Sequence, residues 1–401
     1  ITRRPAAAYD YDLQHRTYSW GAGVKYLLSP DAYITADYQA DFFSSRYNFL
    51  NASKTYKAQP SDELVRKRTR NQQANVKGIF NLGERNKVSV GVEYLADMLS
   101  SPTENISHKT AYTAAIFAQD EITITRQLRA LAGVRYLYHE FFKSYATPNV
   151  ALMYGQGGLN LRASYAAGFR APTLSELYAS ETTKSVDRIT IGNLNLKPEK
   201  SDYFSLNAEY AHSRFTVSTN LFYNRIRDMI DYRTIATGEE AKQKYGHEEV
   251  RQRDNVYKAE VRGINVAAQA YLGAGFRIGA GYTHLDTKDD ETGRPIDKSL
   301  RNAANVNAQW TRTWGGYTMN VYLNGRINSE RFSKTYGYAP AYQVWDLNTR
   351  HTFSLRSVIL EPGVGIENLF NYTDDRPYNF NYATLTPGRS VYVSLSIKFR
   401  G

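Results

Sequence analysis
Every second connection between the alternating segments of this chain is tight. The short connections are SPD, GERN, TRQ, GQGG, HSR, GAG, GG and SLRS. The long ones fall near 45–72, 98–109, 139–146, 168–200, 227–254, 287–304, 327–341 and 371–388. Strict alternation of this kind gathers all the long loops at one end of the fold. An antiparallel sheet rolled into a membrane barrel has that asymmetry. A sandwich or a propeller has no reason to sort its loops so regularly. The segments share a pattern and not residues, so no blade-like repeat is present.

About 17 segments read as strands, each near the roughly 9–11 residues that a tilted membrane strand needs. The last, SVYVSLSIKFRG, sets Val391, Val393, Leu395, Ile397 and Phe399 against Ser390, Tyr392, Ser394, Ser396, Lys398 and Arg400. Alternation at period two gives one apolar and one polar face. In LNLRASYAA the second face carries Asn160, Arg162 and Ser164; in NVNAQW it carries Asn305, Asn307 and Gln309. Asn, Arg and Gln at mid-strand suit a wet lumen, with the apolar face turned to lipid. The expected fold class is therefore all-β, a transmembrane antiparallel β-barrel, with residues 1–401 as one domain. Seventeen is odd, and single-chain bacterial barrels close with an even number. The residues before Tyr18 read as the end of a long loop. The chain is thus expected to begin partway round the barrel, N-terminally incomplete.

Composition narrows the partners. Tyr is unusually common, with 33 copies against 17 Phe and 4 Trp. Its apolar ring and polar tip suit a boundary between lipid and water. Cysteine is absent, which removes disulfides and thiolate metal sites. No apolar run approaches the roughly 18 residues of a spanning helix. The net charge of +11 is either solvated loop charge or a field for anionic ligands and lipid head groups. The basic residues are scattered without a nucleic-acid motif, so no nucleic-acid partner is expected.

GFRAPTLSELY (168–178), followed by GNLNLKPEKSDYFSLNAEY (192–210), resembles the TonB-dependent outer-membrane receptors. DNVYKAEVRGINV (254–266) and VGIENLFNYTDDRPY (364–378) are similar to two further segments of that family, and Phe399 to its terminal aromatic signal. The resemblance covers essentially the whole chain. It implies a 22-stranded barrel closed by an N-terminal plug, of which this chain supplies about strands six to 22, without the plug. It implies energy-coupled import of a scarce nutrient, most simply an iron complex, siderophore or haem, across the outer membrane of a Gram-negative bacterium. The implied partners are the TonB complex, through the N-terminal region absent here, outer-membrane lipid and lipopolysaccharide, and a surface lipoprotein. Cobalamin import is the alternative within the family; a passive porin or adhesion barrel is the alternative outside it.

Candidate ligand residues lie in the external loops. RKRTR (66–70) offers Arg66 and Arg68, near Lys54 and Lys57, for charge-assisted capture of an anionic complex. Arg170, Arg251 and Arg253 could add to that field. Tyr178, Tyr245, Tyr336, Tyr338, Tyr378 and Tyr382 could stack on a flat ligand. Each has a plainer role as loop packing, and Pro172 as a strand stop. His139 and His247 are the candidate haem ligands. Haem-transporting relatives carry a His between the two motifs; here none lies between Pro172 and Asn193, and Leu194 stands at a Pro position. DTKDDETGRPID (286–297) is acidic but lacks calcium-loop spacing. No catalytic motif, resident cofactor or metal site is read. Leu395→Arg is expected to hinder membrane assembly by roughly 2–4 kcal/mol near the midplane, and Ser394→Arg to be tolerated. Folded yield in isolated membranes measures this, and equal tolerance would argue against a lipid-facing Leu395.

Overall fold
The computed structural model describes residues 11–53, 57–183, 187–290, 293–297, 299–333, 337–373 and 387–399. In chain order the elements begin β1 (Tyr11–Ser29), β2 (Ala32–Phe49), β3 (Glu63–Leu82), β4 (Asn86–Ser101), β5 (Ile106–Thr123), β6 (Leu128–His139), β7 (Lys143–Gln156) and β8 (Leu159–Arg170). Helix α1 (Leu174–Tyr178) and the short strands β9 (Ser180–Thr183) and β10 (Arg188–Ile191) lie before β11 (Glu199–Ala211) and β12 (Phe215–Thr237). Helix α2 (Gly238–Tyr245) leads to β13 (Glu249–Gly273), β14 (Phe276–Asp289), β15 (Asn302–Trp314) and β16 (Tyr317–Asn328). A small hairpin, β17 (Arg331–Ser333) and β18 (Gly337–Ala339), precedes β19 (Tyr342–Ser354), β20 (Val358–Glu367) and β21 (Ser390–Phe399). Each of the expected segments is a strand, and β9, β10, β17 and β18 are extra strands inside connections.

The chain divides into two compact units. The first holds residues 1–150, 166–201 and 226–257. Its strands β1 to β6 form an antiparallel meander. Register sets Val76 opposite Val92, Val92 opposite Ile116 and Ile116 opposite Tyr136. That apolar row is exposed, with Ile116 at 57%. One residue further along, the opposite face holds Glu93, which accepts two bonds from the Arg135 guanidinium at 2.5 and 3.0 Å. Asn75 donates to Asp37 there at 2.9 Å. A wide exposed apolar face is an aggregation surface in water and a stable surface in hydrocarbon. Toward the long connections the row gives way to rings: Tyr94 and Tyr112 lie 6.1 Å apart, Tyr112 and Tyr138 6.3 Å, and Trp20 and Tyr38 5.1 Å.

The second unit holds residues 151–165, 202–225 and 258–401. In it β13, β14, β15, β16, β19, β20 and β21 pair in that order, all antiparallel. Ala308, Leu323, Leu347, Ile366 and Val391 fall in one register row, and Asn307, Asn324 and Asp346 in the row beside it. Beside the tight turns at 315–316 and 355–357, Trp314 stacks on Tyr317 at 5.7 Å and Tyr317 on Phe353 at 4.9 Å. Both units therefore show the same device, an apolar band ended by aromatic rings, as on a lipid-facing wall.

The strands outrun the sequence expectation. Strand β1 starts at Tyr11, so His15 is a strand residue stacked on Phe43. RKRTR is not loop: it lies inside β3. The connection 227–254 shrinks to 238–248, and the connections at 102–105 and 140–142 are tight although long loops were expected near 98–109 and 139–146. The reason is physical. Apolar alternation marks only the stretch that meets lipid, whereas backbone ladder bonds go on wherever a neighbouring strand is available. In the first unit, tightly buried side chains gather in four small clusters at the long-connection end: Leu99 with Ile106, Ala111 and Leu174; Tyr47 with Phe49 and Ala58; Leu177 with Leu196 and Ile230; and Ala236 with Ala241 and Val250.

Candidate functional site
The long-connection end of the first unit is held by side chains from the motifs singled out above. After β8, Pro172 cannot donate to a ladder, and Thr173 caps α1. The Thr173 hydroxyl accepts from the Glu176 amide at 3.2 Å, and the Glu176 carboxylate accepts from the Thr173 amide at 2.8 Å, a reciprocal capping box. Arg170 grips two carboxylates. Its Nε and Nη2 donate to Glu199 at 2.7 and 2.5 Å, and its Nη1 to Glu176 at 3.0 Å. Glu199 also accepts from the Ile230 amide at 2.8 Å. Arg170 thus ties the end of β8, α1, the start of β11 and β12 together. Burial pushes the Glu176 carboxyl up, but Arg170 and Thr173 outweigh it and hold it below the ordinary carboxylate range.

Gly192 of GNLNL sits where no side chain fits. A Cβ there would lie 2.6 Å from the Leu177 backbone carbonyl. Asn255 of DNVYKA was not singled out as a site residue, yet its amide accepts from the Lys197 amide at 2.8 Å and donates to the carbonyls of Lys197 and Asp228 at 2.9 and 2.6 Å. A carboxamide offers donor and acceptor together, so it mimics a strand edge where the chain bends. In the second unit Asn368 of NLF does the same, donating to the carbonyls of Tyr372 and Pro387 and accepting from the Tyr372 amide. The only signal in sequence was an Asn inside a recognisable motif.

Hairpin β9–β10 lies beside the extended hairpin β12–β13, with β10 running parallel to β13 through Arg188–Glu249 to Ile191–Gln252. His247 meets Asp187 at 3.0 Å, and that bond holds the Asp187 carboxyl below its ordinary range. Glu249 takes both Arg188 and Arg251. Three cations instead face rings: Lys109 lies 4.4 Å from the Tyr178 centroid, Lys200 4.8 Å from Tyr145 and Arg253 3.6 Å from Tyr232.

The remaining sequence candidates scatter. Arg66 sits at a register shift between β2 and β3, its carbonyl accepting from Ser101 and Thr103. Arg68 is exposed on β3. Tyr245 packs on the Ala236–Val250 cluster. His139 is 5% exposed, accepts from the Phe141 amide at 3.2 Å and lies 5.0 Å from the Phe142 ring; its surroundings are separate from those of His247. Tyr338 is exposed in β18, and Asp286 pairs with Arg262. Tyr336, Tyr378, Tyr382 and Lys54 lie outside the described residues.

Residues 2–369 match the family described as TonB dependent receptor-like, beta-barrel. The chain is 29% identical over 120 residues, 29% of its length and 12% of the other, to "Probable hemoglobin and hemoglobin-haptoglobin-binding protein 4" of Haemophilus influenzae. It is 23% identical over 306 residues to the vitamin B12 transporter BtuB of Vibrio vulnificus, covering 75% of this chain and 44% of BtuB. Among solved structures it resembles a variant of the ferric enterobactin receptor PfeA of Pseudomonas aeruginosa, with a TM-score of 0.77 at 19% identity over 96% of this chain and 62% of that one. It also resembles the siderophore receptor PirA of Acinetobacter baumannii, with a TM-score of 0.75 at 16% identity over 97% and 62%. The chain therefore spans less than two thirds of each of these proteins.

Arg170→Ala leaves two mostly buried carboxylates unpaired and is expected to cost roughly 1–3 kcal/mol, read from urea unfolding in detergent. The lowered pKa of Glu176 fixes the sign with pH. Its contribution is full above the unfolded carboxylate pKa and is lost as pH falls through the lower folded value. Hydrogen exchange at the α1 amides should rise in that window, and Glu176→Gln should abolish the pH dependence.

Proposed function
The chain belongs to the TonB-dependent receptor-like β-barrel family, and on that premise we propose that it forms the membrane wall of a receptor importing an anionic iron complex by energy-coupled transport. In this reading it spans the outer membrane of a Gram-negative bacterium, long connections outward and tight turns toward the periplasm. A plug and a TonB-contacting segment, matching the length by which its relatives exceed it, complete the receptor; a surface lipoprotein is the expected auxiliary partner.

The observation that carries the ligand class is the set of cations held against rings, Lys109 on Tyr178, Lys200 on Tyr145 and Arg253 on Tyr232. A ferric siderophore with aromatic chelating groups is anionic and has flat faces, so it suits both members of such pairs. Arg170 is assigned the anchoring of the loops rather than contact with ligand, because both its edges are engaged by carboxylates. Arg66 and Arg68 are assigned to the wall. Of the sequence candidates, Tyr178 stays with the ligand, Tyr245 with loop packing and Tyr378 as an unassigned loop candidate. Names of relatives support the siderophore reading and leave haem and cobalamin as second readings. In the haem reading His247, backed by the Asp187 carboxylate, is the axial ligand, since such a carboxylate orients the ring and raises its basicity. His139 is buried among phenylalanines and is not used.

Titration of the full-length receptor in detergent with ferric catecholate siderophores, haem and cobalamin tests this. Saturable binding of a ferric siderophore is expected, weakened by salt and reduced about tenfold by Arg253→Gln. A haem absorbance shift lost in His247→Ala would replace it with the haem reading; binding of cobalamin alone would overturn the iron assignment.

A further inference from the structure
Period-two alternation divides RKRTR between the two faces of β3. Counting back from Val76, the positions Ala74, Gln72, Arg70 and Arg68 share its apolar face. Lys67 falls on the opposite face and pairs with Glu104 at 3.8 Å. In register, Gln72 is level with Ala40 and Ala96, Arg70 with Phe42 and Met98, and Arg68 with Ser44 and Ser100; on β1, Trp20, Tyr18 and Arg16 continue these rows. The face thus changes in order from aliphatic residues to Trp20, Tyr38 and Tyr94 and then to arginines. Arg70 lies 5.0 Å over the Phe42 ring and donates to Gln72 at 3.3 Å. Both Arg68 and Arg70 are exposed, and among the described residues neither is paired with a carboxylate. By contrast, Arg46, Lys67, Arg170, Arg188 and Arg251 in the same unit are all paired with Glu.

We propose that Arg68 and Arg70, set just beyond the aromatic belt on the lipid-facing side of β3, bind the phosphate groups of a phosphorylated glycolipid in the outer leaflet. The placement rests on the outer-membrane reading above. Charge and position both point to a lipid and not to the imported ligand. The arginines stand on the wall's apolar face, where head groups begin, and two unpaired guanidiniums present planar forks suited to phosphate. Beside them is a depression of about 360 Å³ lined by Arg70, Gln72, Tyr94, Met98, His108 and Tyr112. Its mixture of rings, methionine and polar tips fits a sugar head with the start of its acyl chains. Asp97 and Glu140 also border it, which places the phosphate over Arg68 and Arg70 and away from those acids.

The test is binding of purified lipid A to the full-length receptor in detergent by native mass spectrometry, beside three probes: dephosphorylated lipid A, inorganic phosphate and phosphatidylglycerol. Lipid A is expected to bind and the dephosphorylated form to bind at least about tenfold more weakly. The double variant R68Q/R70Q should show the same loss, Lys67→Gln should not, and R68K/R70K, which retains both charges, should keep most of the binding. Folding of each variant is checked by heat-resistant migration, and the lysine pair carries the comparison if the glutamine pair misfolds. Equal binding of both lipid A forms, or equal binding by R68Q/R70Q, would overturn the proposal. Saturation by inorganic phosphate alone, or equal preference for phosphatidylglycerol, would overturn the glycolipid as the source of the phosphate. Lipid binding by a receptor that takes none of the nutrient panel would sink the import reading and uphold this one.

Discussion
A strand crossing hydrocarbon has no water to satisfy its amides, so each must find a neighbouring strand. That requirement governs the rest of this chain. It forces an antiparallel meander, and the meander forces period two. Period two then places Val76, Val92, Ile116 and Tyr136 in one exposed row while Glu93 and Arg135 pair on the other side. The same ladder does not stop where lipid stops. It runs on through polar residues, which is why β12 reaches Thr237 and β13 begins at Glu249.

Beyond the lipid, the connections have too little apolar surface for a large core. They are held instead by polar clamps. Arg170 with two carboxylates, the capping box at Thr173 and the carboxamides of Asn255 and Asn368 each satisfy backbone or charged groups from segments distant in sequence. The clusters around Leu174, Leu177 and Val250 add small apolar contacts beneath them. A head built this way stays rigid while leaving Lys109, Lys200 and Arg253 on aromatic rings and not on carboxylates.

Charge is therefore sorted by location. On the loop hairpins, Arg188 and Arg251 converge on Glu249, and Lys242 meets Glu248. On the lipid-facing side of β3, Arg68 and Arg70 keep their charge unpaired. A count of basic residues cannot separate these groups, because every guanidinium contributes equally to +11. Only the positions of the neighbouring carboxylates do.

The order of the strands, the identity of their two faces, most of the tight turns and the family were all legible in the sequence. Those features are local: a period of two, a Gly or Pro at a turn, a motif of a few residues. The fate of individual side chains was not. RKRTR read as loop because apolar alternation ends before it, yet its backbone is paired on both sides by β2 and β4. His139 read as an open loop ligand and is buried against Phe142. Arg170 was proposed for ligand, while Glu199, 29 residues away, takes its guanidinium. Asn255 carries a clamp on Lys197, 58 residues away. By itself the sequence determined which residues face lipid and which face water, because that pattern repeats along each strand. Which charge meets which partner was decided only by the tertiary structure, because those contacts join segments that the strand register, and no local pattern, brings together.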